Sequence, residues 1–150
     1  MHLNEIFDEI VIKTDLENRD KFQIIEDLLD AAVASGKVHD RAVALHDLVE
    51  RERYLSTGFE NGLAVPHAKS EAIHEMILVL GLCREGLDFD SLDGKPTHFI
   101  FLLLSPVDTS GPHIQTLALL ARNFQAGDIP ERLLQAKDSA ELEKILSEFK

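Results

Sequence analysis

The sequence predicts an α/β (α+β) sandwich, a small mixed β-sheet covered by helices on both sides, built as a single domain over residues 1–150. Three features carry this expectation. Apolar residues recur at helical spacing in several segments. The run Thr97–Leu104 is apolar nearly throughout, as strands are when both faces are covered. Helical and strand-like stretches interleave, with no repeat, low-complexity tract or Pro/Gly-rich linker between them.

The elements follow in order. Glu9–Lys13 reads as a short strand. Asn18 is placed to cap a helix from Arg19 to Ser35, in which Phe22, Ile25, Leu28, Leu29, Ala32 and Val33 share one face. Gly36 is placed to end it. Asp40 can cap a second helix, Arg41–Glu52, with Val43, Leu45, Leu48 and Val49 apolar. Ser56-Thr57-Gly58 and Glu60-Asn61-Gly62 are turn chemistry, leading to a short strand, Leu63–Val65, that stops at Pro66-His67. A strand over Glu75–Cys83, a turn at Asp93-Gly94 and the strand Thr97–Leu104 come next. Gly111-Pro112 opens a helix, since proline suits the first helical position. Its stripe is Ile114, Leu117, Ala118, Ala121 and Phe124, and Gly127 ends it. Two short helices, Pro130–Ala136 and Ser139–Glu148, close the chain, the second capped by Asp138 or Ser139.

Composition narrows the function. The formal charge of −12 opposes nucleic-acid binding, which draws on Lys/Arg-rich surfaces. It suits a partner with a basic docking face, or simple solubility. The single cysteine, Cys83, cannot close an internal disulfide, which favours a reducing compartment. The N-terminus lacks the cationic start and apolar block of a signal peptide. The longest apolar stretch, Phe99–Leu104, is too short to span a bilayer. A cytoplasmic protein, not embedded in a membrane, is expected.

Seven histidines are present. His2, His39, His46, His74 and His98 lie in terminal, polar or strand-start settings and are assigned no role. His67 follows Pro66 at the end of a short apolar strand, and functional groups concentrate at such places. Pro66 fixes its own φ and stiffens the entry to His67. A phosphoryl acceptor needs this, with one ring nitrogen free and the other donating its proton to a fixed acceptor. His113 lies just inside a helix N-terminus, where unpaired N–H groups and a partial positive charge suit an anion. A water-facing first-turn residue is the alternative. Arg51 offers a guanidinium fork for phosphate oxygens. Local sequence does not separate it from Arg53, and either could complement a helix end.

Magnitudes permit a phosphoryl site on so anionic a chain. One opposite charge about 4 Å away is worth about 4 kcal/mol at an effective dielectric of about 20. Carboxylates beyond about 8–10 Å are largely screened. Other chemistries lack their motifs: there is no HExxH, CxxC, Walker A, GxGxxG or GxSxG run. A metal-dependent hydrolase built on His67 and His113 would lack ligand spacing and carboxylates, and buried Cys83 is a poor nucleophile.

The run Ser56-Thr57-Gly58-Phe59-Glu60-Asn61-Gly62-Leu63-Ala64-Val65-Pro66-His67 resembles the active-site segment of phosphotransferase system enzyme IIA domains of the fructose/mannitol class and their nitrogen-regulatory relatives. The family pattern is approximately STG-x-G-x-G-I/V-A-I/V-PH, and here Glu60 replaces a common earlier glycine. Glu50-Arg51-Glu52 matches the "RE" at the end of the preceding helix and selects Arg51 over Arg53. Leu87–Pro96 is similar to the family's "I-x-F-x-x-x-D-x-x-P" stretch, and His113–Ala121 to "H-x-x-x-L-x-x-L/V-A". The resemblance spans nearly the whole chain.

It implies a phosphotransferase component that carries a phosphoryl group on His67. His113 and Arg51 would line the site, and Ser56 and Thr57 would shape the loop or touch the phosphate. No cofactor and no metal are implied. The donor would be the phosphocarrier HPr. The acceptor would be a cysteine on an enzyme IIB domain in sugar transport. Alternatively, the phosphorylation state would control binding to a regulated target protein, as in the nitrogen-regulatory type. A chain without a IIB or IIC region is expected to be either a regulator or a separately encoded transport component.

Overall fold

The structure, a computed structural model, describes residues 3–125 and 127–150, with side chains of the first helix described from Ile6 onward. His2 lies outside the described residues. The element order is α1 (Leu3–Asp8), β1 (Val11–Lys13), α2 (Lys21–Ala34), α3 (Arg41–Tyr54), β2 (Leu63–Ala64), β3 (His67–Lys69), β4 (Ile77–Leu87), β5 (Thr97–Ser105), α4 (Gly111–Gln125), α5 (Ile129–Gln135) and α6 (Ser139–Leu146).

Caps explain several helix boundaries. The Asp20 carboxylate accepts from Phe22 N at 3.0 Å and starts α2. Asn18 is not the cap; its N–H donates instead to Glu85 Oε1 at 2.8 Å. Asp40 Oδ1 accepts from Val43 N at 3.2 Å at the start of α3. Gly36, at φ +84°, follows α2 in the left-handed conformation that ends a helix without Cβ strain. Asp138 Oδ1 accepts from Glu141 N at 2.9 Å and caps α6.

The sheet is mixed. Its order is β1-β4-β5, with β2 and β3 both on the outer side of β5. β1 runs parallel to β4, β4 antiparallel to β5, and β2 and β3 parallel to β5. The register pairs Leu63 with Phe99, Ala64 with Ile100 and His67 with Leu103. Each partner lies 36 positions on, so β2 and β3 form one edge interrupted at Pro66. Proline has no N–H to give the ladder, yet its carbonyl still accepts from Leu103 N at 3.0 Å. The strand expected to stop at Pro66-His67 therefore resumes at His67.

Strand alternation divides the core into two layers. Val79 and Cys83 on β4, with Ile100, Leu102 and Leu104 on β5, pack under α2 and α3. Leu78, Leu80 and Leu82, with Phe99, Phe101 and Leu103, pack against α4, α5 and α6. Helices thus cover both faces, as the sequence predicts. Two helical stripes sit differently from expectation. In α4 the buried residues are His113, Thr116, Leu119, Leu120 and Phe124, while Ile114 is exposed. Phe124 is buried as expected, in tilted and edge-to-face contact with Phe99, Phe101 and Phe149 at ring-centroid distances of 5.3–6.1 Å, but the buried line from it runs through Leu120, Thr116 and His113. In α3 the buried positions are Ala44, Leu48 and Glu52, one carboxylate on an otherwise apolar line.

Candidate functional site

The loop before β2 is built to hold one shape. Phe59 N donates to Leu63 O at 2.8 Å and Val65 N to Thr57 O at 3.1 Å. Asn61 and Gly62 take φ values of 59° and 80°, and this tight turn brings the chain back along β5. Gly58 lies against the backbone of Phe89 and Ser91, where any Cβ would collide with the Phe89 carbonyl. Only glycine fits there.

His67 opens β3 directly after this loop. Residues 63, 65, 67 and 69 alternate with Ala64 and Ala68, so His67 and Lys69 project on the α4 side of the sheet. His67 Nδ1 lies 2.6 Å from the Val65 carbonyl. A carbonyl can only accept, so Nδ1 carries the proton and Nε2 keeps its lone pair. Burial lowers the pKa of this ring and the Arg51 charge lowers it further, against the Val65 carbonyl and the Glu52 carboxylate, which raise it. The ring is half-buried and neutral near pH 7, the state in which an imidazole is a nucleophile.

His113 stands in the first turn of α4, with its ring centroid 5.4 Å from that of His67 and the planes at 60°. It is only 5% exposed. Its Nδ1 lies 2.7 Å from Ser105 Oγ at the end of β5. Burial, then the neighbouring His67 and Lys69, push its pKa down to about 4. Lys69 Nζ donates to Ser110 Oγ at 2.8 Å, bridging β3 to the approach of α4.

Arg51 comes from the last turn of α3, and its Nη1 donates to Leu55 O at 2.7 Å. Arg53 points elsewhere, toward Glu50 Oε1 at 3.6 Å. The Arg51 charge acts on His67, whose ring faces that of His113, while Arg53 pairs with Glu50. Ser56 and Thr57 are committed to the loop. Ser56 Oγ donates to Phe89 O at 2.9 Å and Thr57 Oγ1 to Glu52 Oε1 at 2.5 Å.

Three contributors escaped the sequence analysis. Glu52, 2% exposed, accepts from both Thr57 N and Thr57 Oγ1 and lies 3.3 Å from Lys21 Nζ. Its signal was an acid spaced four residues after Leu48 on the buried stripe. Lys69 was hidden by ending the strand at His67; a strand continuing through β3 puts i and i+2 on one face. Ser105 was visible as the polar residue closing an apolar strand. Among the described residues, no three His, Cys, Asp or Glu side chains group as metal ligands.

Two neutral imidazoles lie side by side at the start of α4, with the Arg51 charge acting on one of them, an arrangement chemically suited to an anionic group. The chain matches, over residues 5–149, the family described as phosphoenolpyruvate-dependent sugar phosphotransferase system, EIIA 2, and it belongs to that family. It is 39% identical over 124 residues to the fructose-specific EIIA component of Haloferax volcanii, covering 83% of this chain and 80% of that protein. The crystal structure of the nitrogen regulatory protein IIA-Ntr from Neisseria meningitidis superposes with a TM-score of 0.82 at 29% identity, covering 96% of this chain and 98% of the other. The mannitol enzyme IIA of Escherichia coli, solved in complex with phosphorylated enzyme IIB, shares the fold, with a TM-score of 0.75 at 18% identity over 93% and 94% of the two chains.

Proposed function

We propose that this chain is a phosphoryl carrier of the phosphoenolpyruvate-dependent phosphotransferase system, accepting the group on His67 Nε2. The observation that carries this is the 2.6 Å contact of Nδ1 with the Val65 carbonyl, which leaves Nε2 as the nucleophilic nitrogen. The Nε2 lone pair forms the new N–P bond as the P–N bond of an HPr-like phosphohistidine donor breaks. The bonding pair returns to the donor imidazole. The His67 proton stays on Nδ1, donated to the Val65 carbonyl, so transfer needs no separate proton step.

The transferred group is metaphosphate-like in the transition state, so the protein contributes position and charge rather than covalent chemistry. Arg51 and His113 would hold the phosphoryl oxygens. Ser56 and Thr57 would act by shaping the loop, because their hydroxyls already have protein partners. Tyr54 and Leu55 follow Arg51, Ile114 follows His113, and Val107 lies between β5 and α4; all four are exposed. Exposed apolar residues near in sequence to the site residues suit a protein partner. The onward acceptor would be an enzyme IIB cysteine, as the complex of the mannitol relative supports. The likeness to a nitrogen regulatory protein favours a second reading, in which the phosphorylation state governs binding to a target protein. No helix is long and apolar enough to cross a membrane among the described residues, and either role would be carried out in the cytoplasm.

Incubation with phosphoenolpyruvate, enzyme I and HPr should give an acid-labile, base-stable phosphoprotein, and His67→Ala should abolish the label. Label persisting at another residue would overturn the assignment. A pull-down comparing phosphorylated and unphosphorylated protein separates the two readings: state-dependent capture of a target enzyme supports regulation, and transfer to a IIB cysteine supports transport.

A further inference from the structure

The two histidines of the site have different partners at Nδ1. For His67 it is a backbone carbonyl, which only accepts. For His113 it is the hydroxyl of Ser105, which can donate or accept. His113 is neutral near pH 7 and so carries one N–H, on either nitrogen.

The surroundings decide which. Ser105 is fully buried, and among the described residues its Oγ has a single hydrogen-bond contact, His113 Nδ1 at 2.7 Å. If Nδ1 were protonated and donated to Oγ, the hydroxyl hydrogen would be left buried without an acceptor. Such groups are rare because they are costly. If the hydroxyl donates to Nδ1, its hydrogen is satisfied, and the imidazole proton must sit on Nε2.

We propose that Ser105 is a positioning residue that holds His113 as the Nε2–H tautomer, so that the second imidazole donates to the phosphoryl oxygens rather than presenting a second lone pair. This rests on the carrier reading above. Both parts of the division of labour follow from one rule: a carbonyl behind Nδ1 makes a nucleophile, and a donating hydroxyl behind Nδ1 makes a hydrogen-bond donor. Strand alternation supplies the placement, since Ser105 follows Phe101 and Leu103 on the α4 side of β5. A bare His113 Nε2 would repel the phosphoryl oxygens and compete with His67 for the phosphorus.

The test has two arms. In the first, long-range proton–nitrogen correlation spectra of the unphosphorylated, nitrogen-labelled protein near pH 7.5 report the tautomers directly. His67 should carry its proton on Nδ1 and His113 on Nε2. In the second, Ser105→Ala should move His113 population toward Nδ1–H and slow phosphoryl transfer from phospho-HPr by about tenfold, the usual scale for one lost hydrogen bond at a charged group. Ser105→Thr keeps the hydroxyl and should return the rate to within about threefold and restore the Nε2–H tautomer. A His113 proton on Nδ1 in the unaltered protein overturns the inference, even where His67 takes label normally. So does a Ser105→Ala variant that transfers at the unaltered rate. A His67 that takes no label overturns the carrier reading instead, whatever the His113 tautomer.

Discussion

His113 should make the fold acid-sensitive in a defined window. Burial, with His67 and Lys69 nearby, takes its pKa from 6.5 to about 4. Between those values the unfolded chain binds a proton at this ring and the folded chain does not. Stability therefore falls as pH falls, beginning near 6.5 and levelling off near 4. At about 1.4 kcal/mol per pKa unit the complete effect is about 3 kcal/mol, with about 1.4 kcal/mol reached by about pH 5.5. His67 is lowered too and adds in the same direction. Relief of repulsion on a chain of net charge −12 acts in the opposite direction as carboxylates protonate. Both effects remain in His113→Gln, so the comparison with that variant isolates the ring. Urea unfolding followed by far-UV circular dichroism, repeated from about pH 7.5 to about pH 4.5, should show the unaltered protein losing about 2.5 kcal/mol relative to the variant over that range. Parallel stability curves would refute the reasoning, because they would mean that His113 titrates alike in the folded and unfolded chains.

Two further variants probe the charges on α3. Arg51→Ala should slow transfer to His67 by about tenfold: a unit charge about 5 Å from a phosphoryl oxygen is worth about 3 kcal/mol at an effective dielectric of about 20, and partial exposure reduces that to about 1–2 kcal/mol. The same variant should raise the His67 pKa in an NMR titration, with Arg53→Ala as the unaffected control; an unchanged transfer rate would leave Arg51 as a helix-end residue only. Glu52→Ala should destabilise by about 3 kcal/mol, since it orphans Thr57 N, Thr57 Oγ1 and the buried side of Lys21. A double-mutant cycle with Lys21→Met that showed no coupling would rule out the ion pair as the cause.

Much of this molecule was legible in the residues because its local signals agree with its layers. The α2 stripe, the capping Asp40 and the closing Gly36 are short-range statements, and they hold in three dimensions. The departures have a common origin in tertiary contact. Asp20 rather than Asn18 caps α2, and the Asn18 backbone is tied to Glu85, 67 residues away. The α4 stripe keeps Phe124 but runs back through Leu120, Thr116 and His113, whose Nδ1 meets Ser105 of β5, and this leaves Ile114 outside. A proline suggested the end of a strand, but parallel pairing with β5 continues through its carbonyl, and this hid Lys69. The positions of His67, His113 and Arg51 were marked by their motifs. The partners that set their protonation, the Val65 carbonyl and Ser105, depend on a register that no single segment encodes.

The adjacency of Arg51 and Glu52 explains how an acidic chain can present an anion site. Successive residues on a helix point about 100° apart, so one turn of α3 sends Glu52 into the core and Arg51 to the rim. Glu52 binds the loop that delivers His67, through Thr57, and its charge is met there by Lys21. Arg51 keeps its charge at the site and lowers the His67 pKa, whereas Glu52 raises it. The ring thus responds to a local pair of opposed charges, one screened by burial partners and one partly exposed. Carboxylates farther than about 8–10 Å from the ring are largely screened. The same helix end that stabilises the loop therefore also sets the charge around the nucleophile, and the Arg51 and Glu52 variants should separate the two roles, one through transfer rate and the other through stability.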